Sequence, residues 1–598
     1  MRFIILLLLI PFISISQNND VQKAQSLFSK GDYEKAVQIY EKLPSNKLPR
    51  FYSSYLYSLN ALSKYKEAKK VAQKMYLRDK NNLRYLSDVI IFERKNDDKS
   101  QASKNLNILI KELKSKPSQA LTISNNFNRN EMYDFAIKVL DATENDNNRS
   151  NYLIQKAENY SSLLDYEKMI TCLLDLLEYN ASRELYVRNK FQKTIYNFGI
   201  KNETFNKSLK KFLISYSNKN SKNPIYSDLL VWYFIQNKNY EMAYRQSVSM
   251  DLKFGDYDFT LLDIASLFQK EKKHIQANKV YNYIISKNKK DKLFYQAHAQ
   301  KINLAFISDN QQLIKEVREN YDNYELDFPL NKITVNFYSA YAKFQAFHKN
   351  DYESSEKIFL KILNLDNIKD EVDVAEAKLN YSDILVYNGR IWEALIYYSQ
   401  VEKKFKENPI GHQAKLKIAK VYYYNGDFEV AQAQLDVLKR STSKLISNDA
   451  IDLSLLITDN LSLDTTDIVM RMYAKAEMLA YQRKYIEALS LYDSLINKYQ
   501  FHSLVDEALF EKYKIYYELE DFDNCIFALN KILDYNPNDI LADDATYYLA
   551  KIYDEKINDI NLALLNYNII IEKFQGSIYY DFSRKKIKGI QIKQNDNL

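Results

Sequence analysis

Apolar residues recur at intervals of three and four along most of this chain, which is the spacing of one face of an α-helix and not the alternation of a strand. The segment Val21–Leu43 shows the pattern twice, on either side of a short polar break at Gly31-Asp32. The predicted first helix carries Ala24, Leu27 and Phe28 on one face, and the second carries Tyr33, Ala36, Val37 and Tyr40.

A three-point signature then repeats along the chain: an aromatic residue, a small residue three positions later, and a bulky apolar residue four positions after that. The small residue lets a second helix approach its neighbours closely, and the aromatic ring fills the space at the turn. In chain order the thirteen central residues, all small except Met169, are Ala36, Ala68, Ala102, Ala136, Met169, Ala243, Ala277, Ser355, Ala394, Ala431, Ala488, Cys525 and Ala563.

The spacing of these residues predicts two helices and two turns in each unit. From Ala36 to Met169 the small residues follow one another at nearly even steps, and two longer gaps predict degenerate units near Phe205–Leu209 and Leu304–Val317. Repetition at such a period is typical of a solenoid, in which each unit buries its apolar face against the next.

Turn residues support the same organisation. Gly31, Gly389 and Gly426 each lie five residues before a small residue of the repeat. A helix ends in a left-handed conformation at such a position, and glycine adopts that conformation without steric cost.

The repeats resemble tetratricopeptide repeats over most of the chain, from about residue 20 to 595. Two later segments, Pro537–Ala550 and Phe574–Tyr580, are also similar to the periplasmic repeats of bacterial envelope proteins. The resemblance implies an all-α α-solenoid, a superhelix of antiparallel helix pairs in which the first helix of each unit lines a concave groove. The family's early tryptophan is mostly missing, although Trp232 lies in such a helix.

The step from Ala431 to Ala488 is too long by about one helix. Asp449–Asp459 is the predicted extra helix, with a cap for the following helix at Asp464-Thr465-Thr466. This joint is either a packing insert, which we favour, or a functional hinge. The predicted organisation is a signal peptide (1–16), an N-terminal and central array (17–440), the joint (441–466), a C-terminal array (467–590) and a polar tail (591–598).

The first residues resemble a secretory signal. Arg2 supplies the positive start, Phe3–Ile10 the apolar stretch, and Ser14–Ser16 a cleavage site before Gln17. Because no cysteine follows, lipid attachment of the bacterial lipoprotein type is not expected, whereas a retained N-terminal anchor stays an alternative. We therefore expect an exported, periplasmic chain with no membrane span after cleavage, for which a peripheral place at the outer membrane stays open.

Composition restricts the chemistry. Only 8 glycines occur in 598 residues, and they form neither a phosphate-binding loop nor a nucleophile elbow. Cys172 and Cys525 lie in distant repeats, so we expect two structural thiols and no disulfide. The five histidines show no metal-binding spacing, and His274 occupies a packing position. We expect no enzyme activity, no cofactor, no metal and no nucleic-acid partner, and the net charge of +7 favours acidic partners only weakly.

The remaining candidate is a binding surface. Charged and aromatic residues in a groove anchor peptides or partner helices, whereas the alternative for each ring is packing between helices. By repeat position, the resemblance implies seven groove residues: Trp232, Tyr423, Tyr473, Glu477, Phe510, Lys514 and Tyr517.

These features predict a periplasmic, non-catalytic scaffold that binds other envelope proteins or peptides, in cell-envelope or outer-membrane protein assembly. Docking on an outer-membrane complex would be consistent with this role, and the basic cluster Arg584–Lys588 is either a docking patch or a solvated helix face. Two other functions stay open. One is a glycan-binding accessory protein of an outer-membrane uptake system, and the other is an enzyme hidden in region 180–225 or 300–330.

Overall fold

A computed structural model describes residues 21–596 except 198–199, 309, 322–327, 366–371, 441–443, 462–465 and 538–539. The predicted signal peptide lies outside the described residues, as do Asp464 and Thr465 of the predicted cap. The chain divides into two compact units, Met1–Leu267 and Phe268–Leu598. The joint predicted at 441–466 lies within the second unit.

Helices alternate with short turns through the described residues. The first fifteen are α1 (21–29), α2 (Tyr33–Tyr40), α3 (Leu48–Ala61), α4 (Tyr65–Arg78), α5 (Leu83–Lys95), α6 (Lys99–Leu113), α7 (Ala120–Arg129), α8 (Tyr133–Thr143), α9 (Arg149–Ser162), α10 (Tyr166–Tyr179), α11 (Glu184–Ile195), α12 (Glu203–Lys219), α13 (Pro224–Gln236), α14 (Tyr240–Phe254) and α15 (Asp258–Lys270). Between α11 and α12, β1 (Tyr196–Asn197) and β2 (Ile200–Lys201) form a two-stranded antiparallel hairpin.

The later helices continue the alternation. They are α16 (His274–Ser286), α17 (Lys292–Ile307), α18 (Gln311–Tyr321), α19 (Val335–Lys349), α20 (Tyr352–Leu363), α21 (Val372–Tyr387), α22 (Ile391–Lys404), α23 (Pro409–Asn425), α24 (Phe428–Leu438), α25 (Lys444–Leu461), α26 (Ile468–Tyr481), α27 (Tyr485–Lys498), α28 (Leu504–Glu518), α29 (Phe522–Tyr535), α30 (Ala542–Ile552), α31 (Ile560–Lys573) and α32 (Tyr580–Asp596).

Each unit is an all-α solenoid of the tetratricopeptide type, because consecutive helices pack in pairs and the first helix of one pair contacts the first helix of the next. In the second unit α19 contacts α21, α21 contacts α23, α23 contacts α26, and α26 contacts α28. The fold class predicted from the repeat is confirmed.

The small residues of the signature account for this packing. All thirteen, from Ala36 to Ala563, have an exposed fraction of 0%. Since interiors are close-packed, a larger side chain at these positions would force the helices apart or distort rotamers. The signature therefore identifies the point of closest helix contact in each pair.

A left-handed residue precedes every one of these second helices. Gly31, Gly389 and Gly426 have φ values of 78°, 80° and 84°, as the sequence predicts. The other ten repeats use a non-glycine residue at the same place, five residues before the small residue, with φ between 54° and 62°. These residues are Ser63, Asp97, Glu131, Leu164, Lys238, Lys272, Asn350, Arg483, Glu520 and Asn558.

The residue after this turn caps the second helix in several repeats. The side chains of Asp32, Asp165 and Asp521 each accept a hydrogen bond from the backbone N–H three residues later. This contact satisfies one of the free amide groups at the helix start. In these repeats a left-handed stop followed by an acidic cap thus accompanies the sharp reversal within the pair.

Both degenerate regions are helical where they are described. The predicted unit at Phe205–Leu209 is formed by α11 and α12, which flank the short hairpin, and the unit at Leu304–Val317 is formed by α17 and α18. A separate non-helical domain, which the hidden-enzyme alternative requires, is not found among the described residues of 180–225 and 300–330.

The long step between Ala431 and Ala488 contains the additional helix α25, which includes the predicted segment Asp449–Asp459. Ala450 and Ile457 of α25 are buried in the same apolar cluster as residues of α23, α24, α26 and α28. The insert is therefore a packed element of the second unit.

Other predictions from the sequence concern single side chains. Cys172 and Cys525 are free, buried thiols, and burial raises the pKa of each to about 12. Across the described ranges, no helix is both long enough and apolar enough to cross a membrane.

Candidate functional site

A row of charges crosses the first helices of the second unit. Asp383, Lys420, Glu477 and Lys514 each lie eleven residues before the small residue of their repeat (383 before 394, 420 before 431, 477 before 488, 514 before 525). They occupy equivalent places on α21, α23, α26 and α28, and their signs alternate. We call these four residues the charge row.

A cavity of about 620 Å³ opens beside the start of this row, at α21, α23, α25 and the end of α26. Its volume lies within the range of ligand pockets in proteins, roughly 300–1,000 Å³. The residues that line it include Glu376, Asp383, Tyr398, Lys417, Lys420, Tyr424, Leu445, Ile446, Asp449 and Tyr481.

The last turn of α26 closes one end of the cavity by reaching across several repeats. The Tyr481 hydroxyl donates to the backbone oxygen of Asp383 at 3.4 Å, and Gln482 Nε2 donates to the backbone oxygen of Val386 at 3.3 Å. Arg483 Nη1 donates to the backbone oxygen of Phe347 at 3.3 Å. These contacts attach α26 to the ends of α21 and α19.

Asp383 is fully engaged on the wall of the cavity. Lys417 Nζ donates to both carboxylate oxygens, at 2.7 and 2.8 Å, and the Tyr398 hydroxyl donates to Oδ1. Burial, followed by the negative charge of Asp383, raises the pKa of Tyr398 well above its ordinary value. This part of the charge row is consequently a neutralised pair that holds α21 against α23.

Lys420 and Glu376 also line the cavity but, unlike Asp383, have no bonded partner among the described residues. Both side chains are exposed, and neither forms a hydrogen bond or ion pair with another residue of the described chain. Partial desolvation of its carboxyl group and, to a smaller extent, the negative charge of Asp373 raise the pKa of Glu376. With respect to the described residues, the cavity thus presents one ammonium group, that of Lys420, and two carboxylates, those of Glu376 and Asp449, that form no ion pair with another residue.

Glu477 is the most perturbed acid of the charge row. Burial and the neighbouring charge of Glu511 raise its pKa to about 7. A hydrogen bond donated by the Tyr423 hydroxyl and the positive charges of Lys514 and Lys420 oppose this shift. Glu477 therefore changes charge near neutral pH, at the centre of the row.

The seven predicted groove residues are placed in different environments. Three of the rings are buried: Trp232 is 9% exposed, Tyr423 1% and Tyr473 3%. They pack between helices, which is the alternative that the sequence left open, and Trp232 lies in the first unit. The more accessible members are all on α28, where the structure leaves two rings partly exposed and one ammonium group exposed: Phe510, Tyr517 and Lys514.

Five of the six predicted residues in the second unit take part in three separate contacts. Tyr423 is hydrogen-bonded to Glu477. Lys514 Nζ lies 5.0 Å from the centre of the Phe510 ring, and Lys556 Nζ lies 5.2 Å from that of Tyr517. Cation–π contacts of this kind keep an amphipathic surface ordered while leaving it accessible.

Sequence analysis missed Asp383, Lys420 and Glu376. The signal for Asp383 and Lys420 was present, because counting eleven residues back from Ala394, Ala431, Ala488 and Cys525 reveals the alternating charges, whereas this count does not reach Glu376. The contribution of α25 and Tyr481 to one cavity was not accessible in this way, since it depends on contacts such as that between Tyr481 and Asp383, which are 98 positions apart.

Within the ranges that the structure describes, no group of three or more His, Cys, Asp or Glu side chains is arranged to hold a metal ion. His298, a buried histidine outside the site, has a pKa lowered by burial to about 4.

No family model matches the sequence, and comparison with curated proteins finds no similar sequence. Comparison with solved structures matches a chain of the APC/C hetero-tetramer Cut9-Hcn1, 13% identical, with 92% of this chain and 98% of that chain covered and a TM-score of 0.23. A second match is the TPR domain of P58(IPK), 14% identical, with 69% and 99% covered and a TM-score of 0.18. A third is a chain of Naa15/Naa10 bound to HypK-THB, 14% identical, with 98% and 97% covered and a TM-score of 0.20.

Proposed function

We propose that this protein is an exported, non-catalytic scaffold that binds other proteins of the bacterial envelope through the first-helix surface of its second unit. The observation that carries the proposal is the charge row, together with the partly exposed rings of Phe510 and Tyr517 beside it. Rings anchor a partner by desolvation, and neighbouring charges select among partners.

The frame beneath this surface supports the proposal. Successive first helices contact one another and bury continuous apolar clusters, so they hold the surface residues in fixed relative positions. Binding residues placed on helices are held more precisely than residues on loops, and less conformational entropy is lost on association.

The cellular location forms part of the proposal. It is supported by the charged, apolar and small-residue segments of the predicted signal peptide and by the resemblance of Pro537–Ala550 to periplasmic repeats. Fractionation of cells that express the full chain tests it: recovery in the periplasmic fraction, with Gln17 as the first residue, is expected. Retention of the uncleaved chain in the cytoplasm would contradict it.

Affinity capture from envelope extracts tests the binding surface. The variant that combines Phe510→Ala with Lys514→Glu removes one ring and reverses one charge on α28. We expect this variant to lose most of the protein partners that the wild-type chain recovers, by about tenfold or more in yield, because an anchor and a selecting charge are lost together.

The same helix pair provides a matched control. On α29, Lys531 Nζ lies 5.7 Å from the centre of the Phe527 ring, which copies the Lys514–Phe510 arrangement. The variant Phe527→Ala with Lys531→Glu should retain the partners. Equal losses in both variants, or unchanged capture by the α28 variant, would argue against this surface.

A further inference from the structure

The insert helix α25 converts part of the first-helix surface into a cavity. Leu445, Ile446 and Asp449 of α25 form one wall, opposite residues of α21 and α23. Ala450 and Ile457 fix the helix in the core of the second unit, so this wall is held by packing. The regular repeat step elsewhere leaves no room for such a helix.

The exposed charged side chains of the cavity differ in sign from one end to the other. Glu376 and Asp449 contribute carboxylates near the starts of α21 and α25, whereas Lys420 lies three residues beyond Lys417 on α23. Lys417 contacts Asp383, which lies seven residues after Glu376. First helices run in the same direction, and Lys420 is equivalent in the repeat to Asp383, so Glu376 and Lys420 are separated by seven helical positions, or about 10 Å along the helix axes.

The aromatic rings of the cavity are already stacked on one another. The Tyr424 and Tyr481 ring centres lie 6.4 Å apart with an interplanar angle of 29°, and the edge of Tyr387 meets Tyr481 at 6.3 Å. Tyr398 is 2% exposed, and its hydroxyl is bound to Asp383. This arrangement favours an elongated ligand with charged groups over a flat sugar ring that needs an open aromatic face.

We propose that this cavity binds a short, extended peptide segment of a partner protein, with a basic side chain at Glu376 and Asp449 and an acidic side chain at Lys420. An extended chain rises about 3.3 Å per residue, so a span of about 10 Å corresponds to about three residues. The inference rests on the proposed function and adds the ligand class and its direction of binding.

Fluorescence anisotropy with the full chain tests the inference. The probes are labelled, end-blocked peptides of one composition, in which one Lys and one Glu are separated by one to five neutral residues, in both orders. We expect one order and a separation of two residues to bind at least tenfold more tightly than the reversed order, since only one polarity matches the cavity.

Exchanging the two charges provides the decisive comparison. The variant Glu376→Lys with Lys420→Glu keeps both side chains exposed and should reverse the preferred peptide order. Lys406→Glu, at another exposed lysine of the second unit, should leave the preference unchanged, and circular dichroism should show the same helical content in all three proteins.

Each possible result either supports or overturns the inferred peptide site. Reversal of the preferred order in the exchange variant supports the inference. Equal binding of both orders, no binding of any probe, or tighter binding of neutral oligosaccharides would overturn it. Partner capture that still depends on Phe510 and Lys514 would then leave the proposed scaffold function standing without this peptide site.

Discussion

At the scale of the residue, the position before each second helix adopts a left-handed conformation whether or not it is occupied by glycine. Glycine is the residue that reaches this conformation without strain, yet ten of the thirteen repeats use another residue there. An L-residue in this region costs roughly 1–2 kcal/mol, which the packing of the helix pair must offset. The three glycines were therefore predictable, whereas the ten strained residues were not.

Gly31→Ala should weaken the first helix pair by about 1 kcal/mol, because Gly31 has a φ of 78°. A Cβ atom there meets nothing within 4 Å, so only backbone strain is introduced. Native-state hydrogen exchange of the α2 amides measures the change. Gly576→Ala is the control: its Cβ also meets nothing within 4 Å, and its backbone is outside the left-handed region. Equal effects of the two substitutions would exclude strain as the cause.

Glu477 should make stability depend on pH. Its pKa rises from 4.5 to about 7 on folding, so the neutral acid stabilises the fold below pH 4.5, and this contribution is lost as the pH rises through 7. Glu477→Gln keeps the neutral form and an acceptor for the Tyr423 hydroxyl.

The stability of the variant relative to that of wild type should therefore be greater at pH 8 than at pH 4.5, by on the order of 1–3 kcal/mol. Chemical denaturation of both proteins at the two pH values measures this difference, since the titration of the other groups is common to both. A difference that stays constant with pH would show that Glu477 titrates normally.

At the scale of the element, the helices follow directly from the repeated signature, because each small residue has to lie at a helix contact. The insert α25 was also predictable, from the long step between Ala431 and Ala488 and from its apolar segment. Its packing was not, since a helix between two repeats can equally serve as a hinge. Ala450 and Ile457 of α25 are buried, as the packing interpretation requires.

Ile457→Ala should destabilise the second unit by about 2–4 kcal/mol, because Ile457 is 2% exposed and its removal leaves a cavity. Leu455→Ala, at a side chain that is 51% exposed on the same helix, should change stability by no more than about 0.5 kcal/mol. Denaturation followed by circular dichroism compares them. Similar small effects would indicate that α25 is loosely attached.

At the scale of the whole molecule, the repeat architecture could be predicted from the sequence, whereas the candidate site could be predicted only in part. Lys514 is exposed and Phe510 and Tyr517 are partly exposed, and their role in binding a partner stays a prediction. Tyr473 is buried although its repeat position is equivalent to that of Phe510, so repeat position alone does not decide exposure. The difference arises from neighbouring helices, which only the three-dimensional contacts reveal.

The central claim is that partners bind the first helices of the second unit. Photo-crosslinking in living cells tests it most directly, with a photoreactive amino acid placed at Lys420 or Lys514 and, for comparison, at Lys531 or Ile486 on second helices. The account predicts discrete protein adducts from Lys420 and Lys514 and few or none from Lys531 and Ile486. Adducts of equal yield from all four positions, or from the second helices alone, would contradict it.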